Sequence, residues 1–140
     1  PVFSQIQSAS RYGLLKSMRN SKNGILMGTS SFWEGIDLSG DMLEILIITK
    51  LPFQVPSDPI VKSYGDKLSD NNMNPFLNFT VPECILKYRQ GFGRLIRTSL
   101  DQGIFIVLDN RIVTKRYGQQ FQDAIPVEMQ MFSTLDSLLL

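Results

Sequence analysis

What most constrains the fold of this chain is a pair of unbroken apolar runs, residues 43–49 (LEILIIT) and 103–108 (GIFIVL). A strand with one face in water alternates apolar and polar side chains, whereas a parallel strand covered on both faces reads as a nearly continuous aliphatic run. Both runs therefore predict central parallel strands buried on both faces. Residues 25–27 (ILM) predict a shorter buried strand, and Val2 and Phe3 the tail of another. Parallel neighbours need a crossover, usually a helix, and helical spacing appears between the runs. Residues 10–20 place Leu14, Leu15 and Met18 inward, and residues 58–69 carry Ile60, Val61, Tyr64 and Leu68. Residues 114–124 form a further helical stretch, stopped by Pro126. Strands and helices alternating in this way specify a three-layer α/β domain with a mainly parallel sheet.

Local signals mark the boundaries. Ser8 or Ser10 can accept hydrogen bonds from a first helical turn, and residues 20–24 supply the turn that ends that helix. Asp58 as N-cap with Pro59 at the first helical position starts the next one. Prolines in residues 50–56 exclude ladder pairing there. Residues 70–80 (DNNMNPFLNFT) mix turn formers with Phe76 and Phe79, which predicts a long loop pinned down by its aromatic rings.

The chemistry is concentrated in residues 81–98 (VPECILKYRQGFGRLIRT). At the helical period Val81, Ile85, Tyr88, Phe92, Leu95 and Ile96 share one face, and Gln90, Arg94 and Arg97 gather on the opposite one. Pro82 suits a first turn, where its missing N–H has no intrahelical partner. Gly91 and Gly93 do not suit a helix interior, where each costs about 0.5–1 kcal/mol relative to Ala. Their presence beside an arginine-bearing face suggests close approach of a backbone or a ligand. A polar outer face with two arginines is also what any solvated helix shows.

Composition narrows the function classes. With 43% hydrophobic and 19% charged residues in 140, the chain has the make-up of one ordinary globular domain. No apolar run approaches the about 20 residues needed to span a bilayer, so no membrane association is expected. A single cysteine, Cys84, excludes an internal disulfide, and without any histidine no zinc or iron–sulfur site is expected in this segment. A reducing, cytoplasmic setting is the expectation. The chain begins at Pro1 and shows no targeting segment, so residues 1–140 are expected to be a single domain cut from a longer polypeptide. The net charge of +1 conceals an asymmetry: residues 87–116 hold seven basic and two acidic side chains. That half leans towards an anionic partner, either nucleotide phosphates or a nucleic-acid backbone, although scattered basic residues also simply solvate a surface.

Gln-x-x-Gly-Arg-x-x-Arg at Gln90, Gly93, Arg94 and Arg97 resembles motif VI of superfamily 2 helicases. Residues 28–40 (GTSSFWEGIDLSG) resemble motif V of the same superfamily, with the run Glu34, Gly35, Ile36 and Asp37 typical of the DinG/XPD branch. The order and flanks agree, including LPFQVPSDP at residues 51–59 and Leu-Asp-x-Arg at residues 108–111. The resemblance covers nearly the whole chain and implies the second RecA-like (P-loop NTPase-like) domain of a helicase. Its implied catalytic residues are Arg94 and Arg97. Gln90, Gly93, Glu34, Gly35 and Asp37 would face ATP, and Thr29, Ser30 and Ser31 would lie on single-stranded DNA. Asp37 can equally cap the turn made by residues 38–40, and Trp33 is more simply a packing residue than a base-stacking one.

The partners implied are single-stranded DNA and the first RecA-like domain of the same polypeptide, which in this family holds most of the ATP and Mg²⁺ contacts. Some relatives carry an iron–sulfur cluster there, and some an exonuclease-like domain. The present chain contains neither a Gly-x-x-x-x-Gly-Lys-Ser/Thr phosphate loop nor an Asp-Glu-x-His segment. It is therefore expected to be inactive as an ATPase alone. Two other readings stay open on the residues: a helicase-like module that binds nucleic acid without ATP turnover, and an unrelated phosphate-binding α/β domain.

Overall fold

The computed structural model describes residues 1–5, 10–29 and 42–132. Strand β1 (Val2–Ser4) pairs in parallel with β2 (Ile25–Met27), Val2 lying beside Ile25 and Ser4 beside Met27. Helix α1 (Arg11–Arg19) makes the crossover. It starts where Ser10, in an extended conformation, accepts the Gly13 N–H on its hydroxyl oxygen at 3.1 Å. It ends as the Asn20 N–H returns to the Lys16 carbonyl at 3.2 Å, and Asn23 then takes a left-handed φ of 56° to turn the chain into β2. Leu14 is buried against Phe3, Leu15, Leu26 and Leu43, a small core of its own.

The larger core lies under the second strand pair. Strands β3 (Ile45–Ile48) and β4 (Ile104–Val107) are again parallel, with Ile45 opposite Ile104 and Ile48 opposite Val107. Helix α3 (Val81–Leu95) packs on one face of that pair. Its Val81, Cys84, Tyr88 and Phe92 meet Ile48, Leu51, Ile112, Phe121 and Ile125. Phe105 of β4 sits 5.4 Å from the Tyr88 ring and 5.3 Å from that of Phe92, and Phe121 closes on Tyr88 edge-on at 5.4 Å. Every described strand pair is parallel with helical crossovers, as the apolar runs predict.

Three expectations need correcting. The strands are not covered on both faces: Ile45, Ile47, Ile104, Ile25 and Met27 are each at least 50% exposed. Continuous apolarity reports that a strand tolerates burial on both sides, while the burial itself needs a second layer, and the described residues supply helices on one face of β3 and β4 only.

The long loop at residues 70–80 is instead largely helical. After α2 (Pro59–Asp70), Asn74 accepts the Leu77 N–H at 3.0 Å, and one π-helical turn (Phe76–Thr80) runs straight into α3. Pro82 has no N–H to return to Asn78, and the turn ahead of it is the wide one, with Val81 donating to Phe76 five residues back. The aromatics do pin this stretch as predicted, Phe76 stacking on Phe53 at 5.8 Å and Phe79 on Tyr64 at 5.0 Å.

The helix predicted over residues 114–124 is two short ones, α4 (Arg111–Thr114) and α5 (Gly118–Asp123), separated by an extended Lys115. The chain doubles back so closely that a Cβ at position 118 would run into the Ile112 carbonyl, which only glycine avoids.

Candidate functional site

The polar side of α3 is assembled by helical geometry. Gln90, Gly93 and Arg94 stand three and four residues apart and so occupy one face, opposite the buried Val81, Cys84, Tyr88 and Phe92. Gln90 and Gly93 are exposed and Arg94 is half-buried. A Cβ built at Gly93 would meet no atom within 4 Å, so this side of the helix presents bare backbone to whatever approaches. Gly91 is different: it is buried on the core side. Arg94 lies in the last turn, where the unpaired carbonyls of the helix end favour a cation.

Arg97 is not on the helix. The spacing predicts helix through residue 98, but α3 stops at Leu95, and Ile96 is extended with φ −117° and ψ 108°. The next turn is built around a residue the sequence reading did not single out. Oδ2 of Asp101 accepts the N–H groups of both Arg97 and Thr98, each at 2.7 Å. The Thr98 hydroxyl oxygen accepts the Leu100 N–H at 3.3 Å, and its carbonyl accepts the Asp101 N–H at 3.3 Å. The two N–H groups at its oxygen hold the Asp101 carboxyl below the usual carboxylate range. Three N–H groups left without helical partners are thus satisfied by two side chains, which is why the helix ends here although Ile96 continues its apolar stripe.

Thr29 stands just beyond the end of β2, where the sequence places it. Its N–H and its hydroxyl both donate to Oε1 of Gln5, at 3.0 and 3.2 Å, and the Gln5 N–H in turn donates to the Met27 carbonyl at 3.0 Å. Gln5 therefore anchors Thr29 just beyond the end of β2. The predicted DNA contacts Ser30 and Ser31 and the predicted nucleotide contacts Glu34, Gly35 and Asp37 lie outside the described residues.

Arg111 corrects the charge reading. Its guanidinium does not add to an anion-facing surface; its Nε is 2.9 and 3.1 Å from the two Asp109 oxygens, with a second bond from a terminal nitrogen, and its Cζ stands 5.0 Å over the Phe53 ring. Asp109 is only 8% exposed. It also accepts the Leu51 N–H at 2.9 Å, tying the chain after β3 to the chain after β4. The Arg111 guanidinium holds the Asp109 carboxyl down at about 2, against the opposing effect of burial. The signal is available in the sequence as an acid and an arginine two residues apart after an apolar run. Cys84 is inert by comparison, its thiol pushed up to about 12 by burial.

Among the described residues no three His, Cys, Asp or Glu side chains converge where a metal ion could sit. Nor is any described helix long and apolar enough to cross a membrane. What the described residues do offer is the Gln90 amide and the Arg94 guanidinium beside the exposed backbone of α3, with Arg97 just beyond its end. The N–H donors of these groups suit phosphate oxygens.

Comparison with known proteins agrees with the family resemblance. The helicase C-terminal domain family matches residues 1–128. The chain is 42% identical over 113 residues to the 3'-5' exonuclease DinG of Bacillus subtilis, covering 81% of this chain and 12% of that protein. It is 45% identical over 116 residues to the ATP-dependent DNA helicase DinG of Photobacterium profundum, covering 81% and 17%. With the ATP-dependent DNA helicase YoaA of Escherichia coli it shares 39% over 126 residues, covering 90% and 20%. The chain thus spans no more than a fifth of the length of these relatives. With parallel strand pairs, helical crossovers and the Gln-x-x-Gly-Arg face all in place, the chain belongs to the helicase C-terminal domain family, a RecA-like α/β domain of the DinG and YoaA type.

Proposed function

We propose that this domain is the second motor domain of an ATP-driven helicase acting on single-stranded DNA, and that it brings Arg94 and Arg97 to a nucleotide held mainly by the first RecA-like domain. The observation that carries this reading is the pairing of Gln90 and Arg94 with the open Gly93 on one exposed face of a helix whose other face is locked into the core. ATP with Mg²⁺ supplies the phosphoryl group and the charge that builds on its oxygens as the terminal phosphate leaves. Arginine suits that charge because its planar fork stays protonated and grips two oxygens at once. Gln90 donates and accepts from the same face, and so registers whether a nucleotide is present. Because α3 is fixed rigidly to β3 and β4, closure on the nucleotide moves the whole domain. In this reading Ser30 and Ser31 contact the DNA backbone and Glu34, Gly35 and Asp37 the nucleotide, so that closure steps the domain along the strand. The resemblance favours 5′-to-3′ movement and a role in DNA repair or replication.

The test is Arg94→Ala in the full-length protein. DNA-stimulated ATP hydrolysis is expected to fall about 10³-fold or more, with ATP affinity nearly unchanged. Full activity in that variant would remove Arg94 from the mechanism. A second reading, nucleic-acid binding without ATP turnover, is favoured by the exonuclease name of the Bacillus subtilis relative. Binding of single-stranded DNA by the native full-length protein without any ATP hydrolysis would establish it.

A further inference from the structure

We propose that Asp101 is a positioning residue for Arg97, a role that deepens the motor reading and rests on it. Because α3 ends at Leu95 and Ile96 is extended, no helical hydrogen bond sets the direction in which Arg97 leaves the core. Its main chain is set by one carboxylate oxygen, Oδ2 of Asp101, which receives the N–H groups of Arg97 and Thr98 at 2.7 Å each. Both distances are at the short end for charge-assisted bonds. Two successive N–H groups aimed at one anionic oxygen form a small concave cradle that fixes two peptide planes together.

The remaining turn is closed by Thr98, through its hydroxyl to Leu100 and its carbonyl to Asp101. The turn follows directly on a helix that is anchored by Phe92 and Leu95. The carboxylate thus decides where the Arg97 side chain begins. For a flexible side chain that must meet a phosphate across a cleft, that starting direction governs how often the guanidinium is in place. Arg94, still on the helix, needs no such device, since its direction follows from the helix itself. The two arginines of the motif are held by different means, one by helical geometry and one by Asp101.

The test uses the full-length protein with single-stranded DNA and compares Asp101→Ala, Asp101→Asn, Arg97→Ala and the Arg97→Ala/Asp101→Ala double variant. Asp101→Ala is expected to lower kcat for ATP about 10- to 100-fold with KM unchanged. Asp101→Asn keeps a carbonyl oxygen for the same two N–H groups and is expected to recover most of that loss. The double variant should lose no more than Arg97→Ala alone, because a residue acting through Arg97 has nothing left to act on. If Arg97→Ala is itself as active as the native protein, the catalytic assignment of Arg97 is wrong and this role for Asp101 goes with it. If Arg97→Ala is inactive but Asp101→Ala is native-like, the assignment of Arg97 stands and the positioning role is overturned. It is equally overturned if Asp101→Asn is no better than Asp101→Ala, or if the double variant is worse than Arg97→Ala.

Discussion

Helices α2 and α3 look alike as sequence and behave differently as structure. Each has apolar residues at helical spacing, each begins with a proline in its first turn, and they differ little in length, 12 and 15 residues. Yet α3 buries Val81, Cys84, Tyr88, Gly91, Phe92 and Leu95, while α2 buries no residue and leaves Ile60 68% exposed. The difference lies in what each apolar face meets. The face of α3 lies on β3 and β4 and is closed off by Phe121 and Ile112, whereas that of α2 meets the π-helical turn, chiefly through the Tyr64 and Phe79 rings. Helix α2 is held instead by local bonds, Asp58 accepting the Ile60 and Val61 N–H groups at 2.9 and 3.4 Å and the Ser69 hydroxyl donating to the Gly65 carbonyl. Amphipathic spacing specifies a face; a partner for that face comes from elsewhere in the chain.

Substitutions can break that contrast, and the largest effect is expected in α3. Phe92→Ala should cost about 3–5 kcal/mol in chemical denaturation, because the cavity it leaves is walled by the Phe105 ring and the strands. A cost below 1 kcal/mol would mean that α3 is not the centre of the core. The Asp109 tie between the strand ends comes next. Asp109→Ala leaves the Leu51 N–H and the Arg111 guanidinium without their acceptor and should cost about 1–3 kcal/mol.

The pH dependence of the tie has a definite sign. The folded carboxyl titrates at about 2 against an ordinary value of 3.8. Its contribution is therefore fully present above 3.8 and lost as the pH falls from there through about 2. Asp109→Asn should flatten the stability profile in that window, and an unchanged acid slope would show that the pair does not hold the two strand ends together. The smallest effect is expected in α2, where Ile60→Ala should stay within about 0.5 kcal/mol. A larger loss in the full-length protein would reveal that another part of it covers this face.

How far the sequence could be followed depended on how local the cause was. Ser10 and Asp58 were legible as caps because the hydrogen bonds they make span only two or three residues. Asn74 with Pro75 carries the same kind of signal as Asp58 with Pro59, but it was hidden among the turn formers of residues 70–80 and opens a turn only five residues long. Gln90, Gly93 and Arg94 were legible as one face because helical geometry dictates it. Periodicity carries Arg97 onto the helix because the apolar Ile96 extends the stripe by one step, while the acceptor that ends the helix stands further along, at Asp101. Thr29 was placed correctly at a strand end, but its anchor, Gln5, is 24 residues away in sequence.

The sequence by itself determined the alternation of strands and helices, the parallel pairing, the polar face of α3 and the family, since each follows from periodicity or from residues close together in the chain. The tertiary structure alone decided which faces are covered and that Asp109, paired with Arg111, ties the chain after β3 to the chain after β4. Those outcomes turn on contacts between segments such as Leu51 and Asp109, 58 residues apart. A donor finds an acceptor at that distance only once the strands between them have packed.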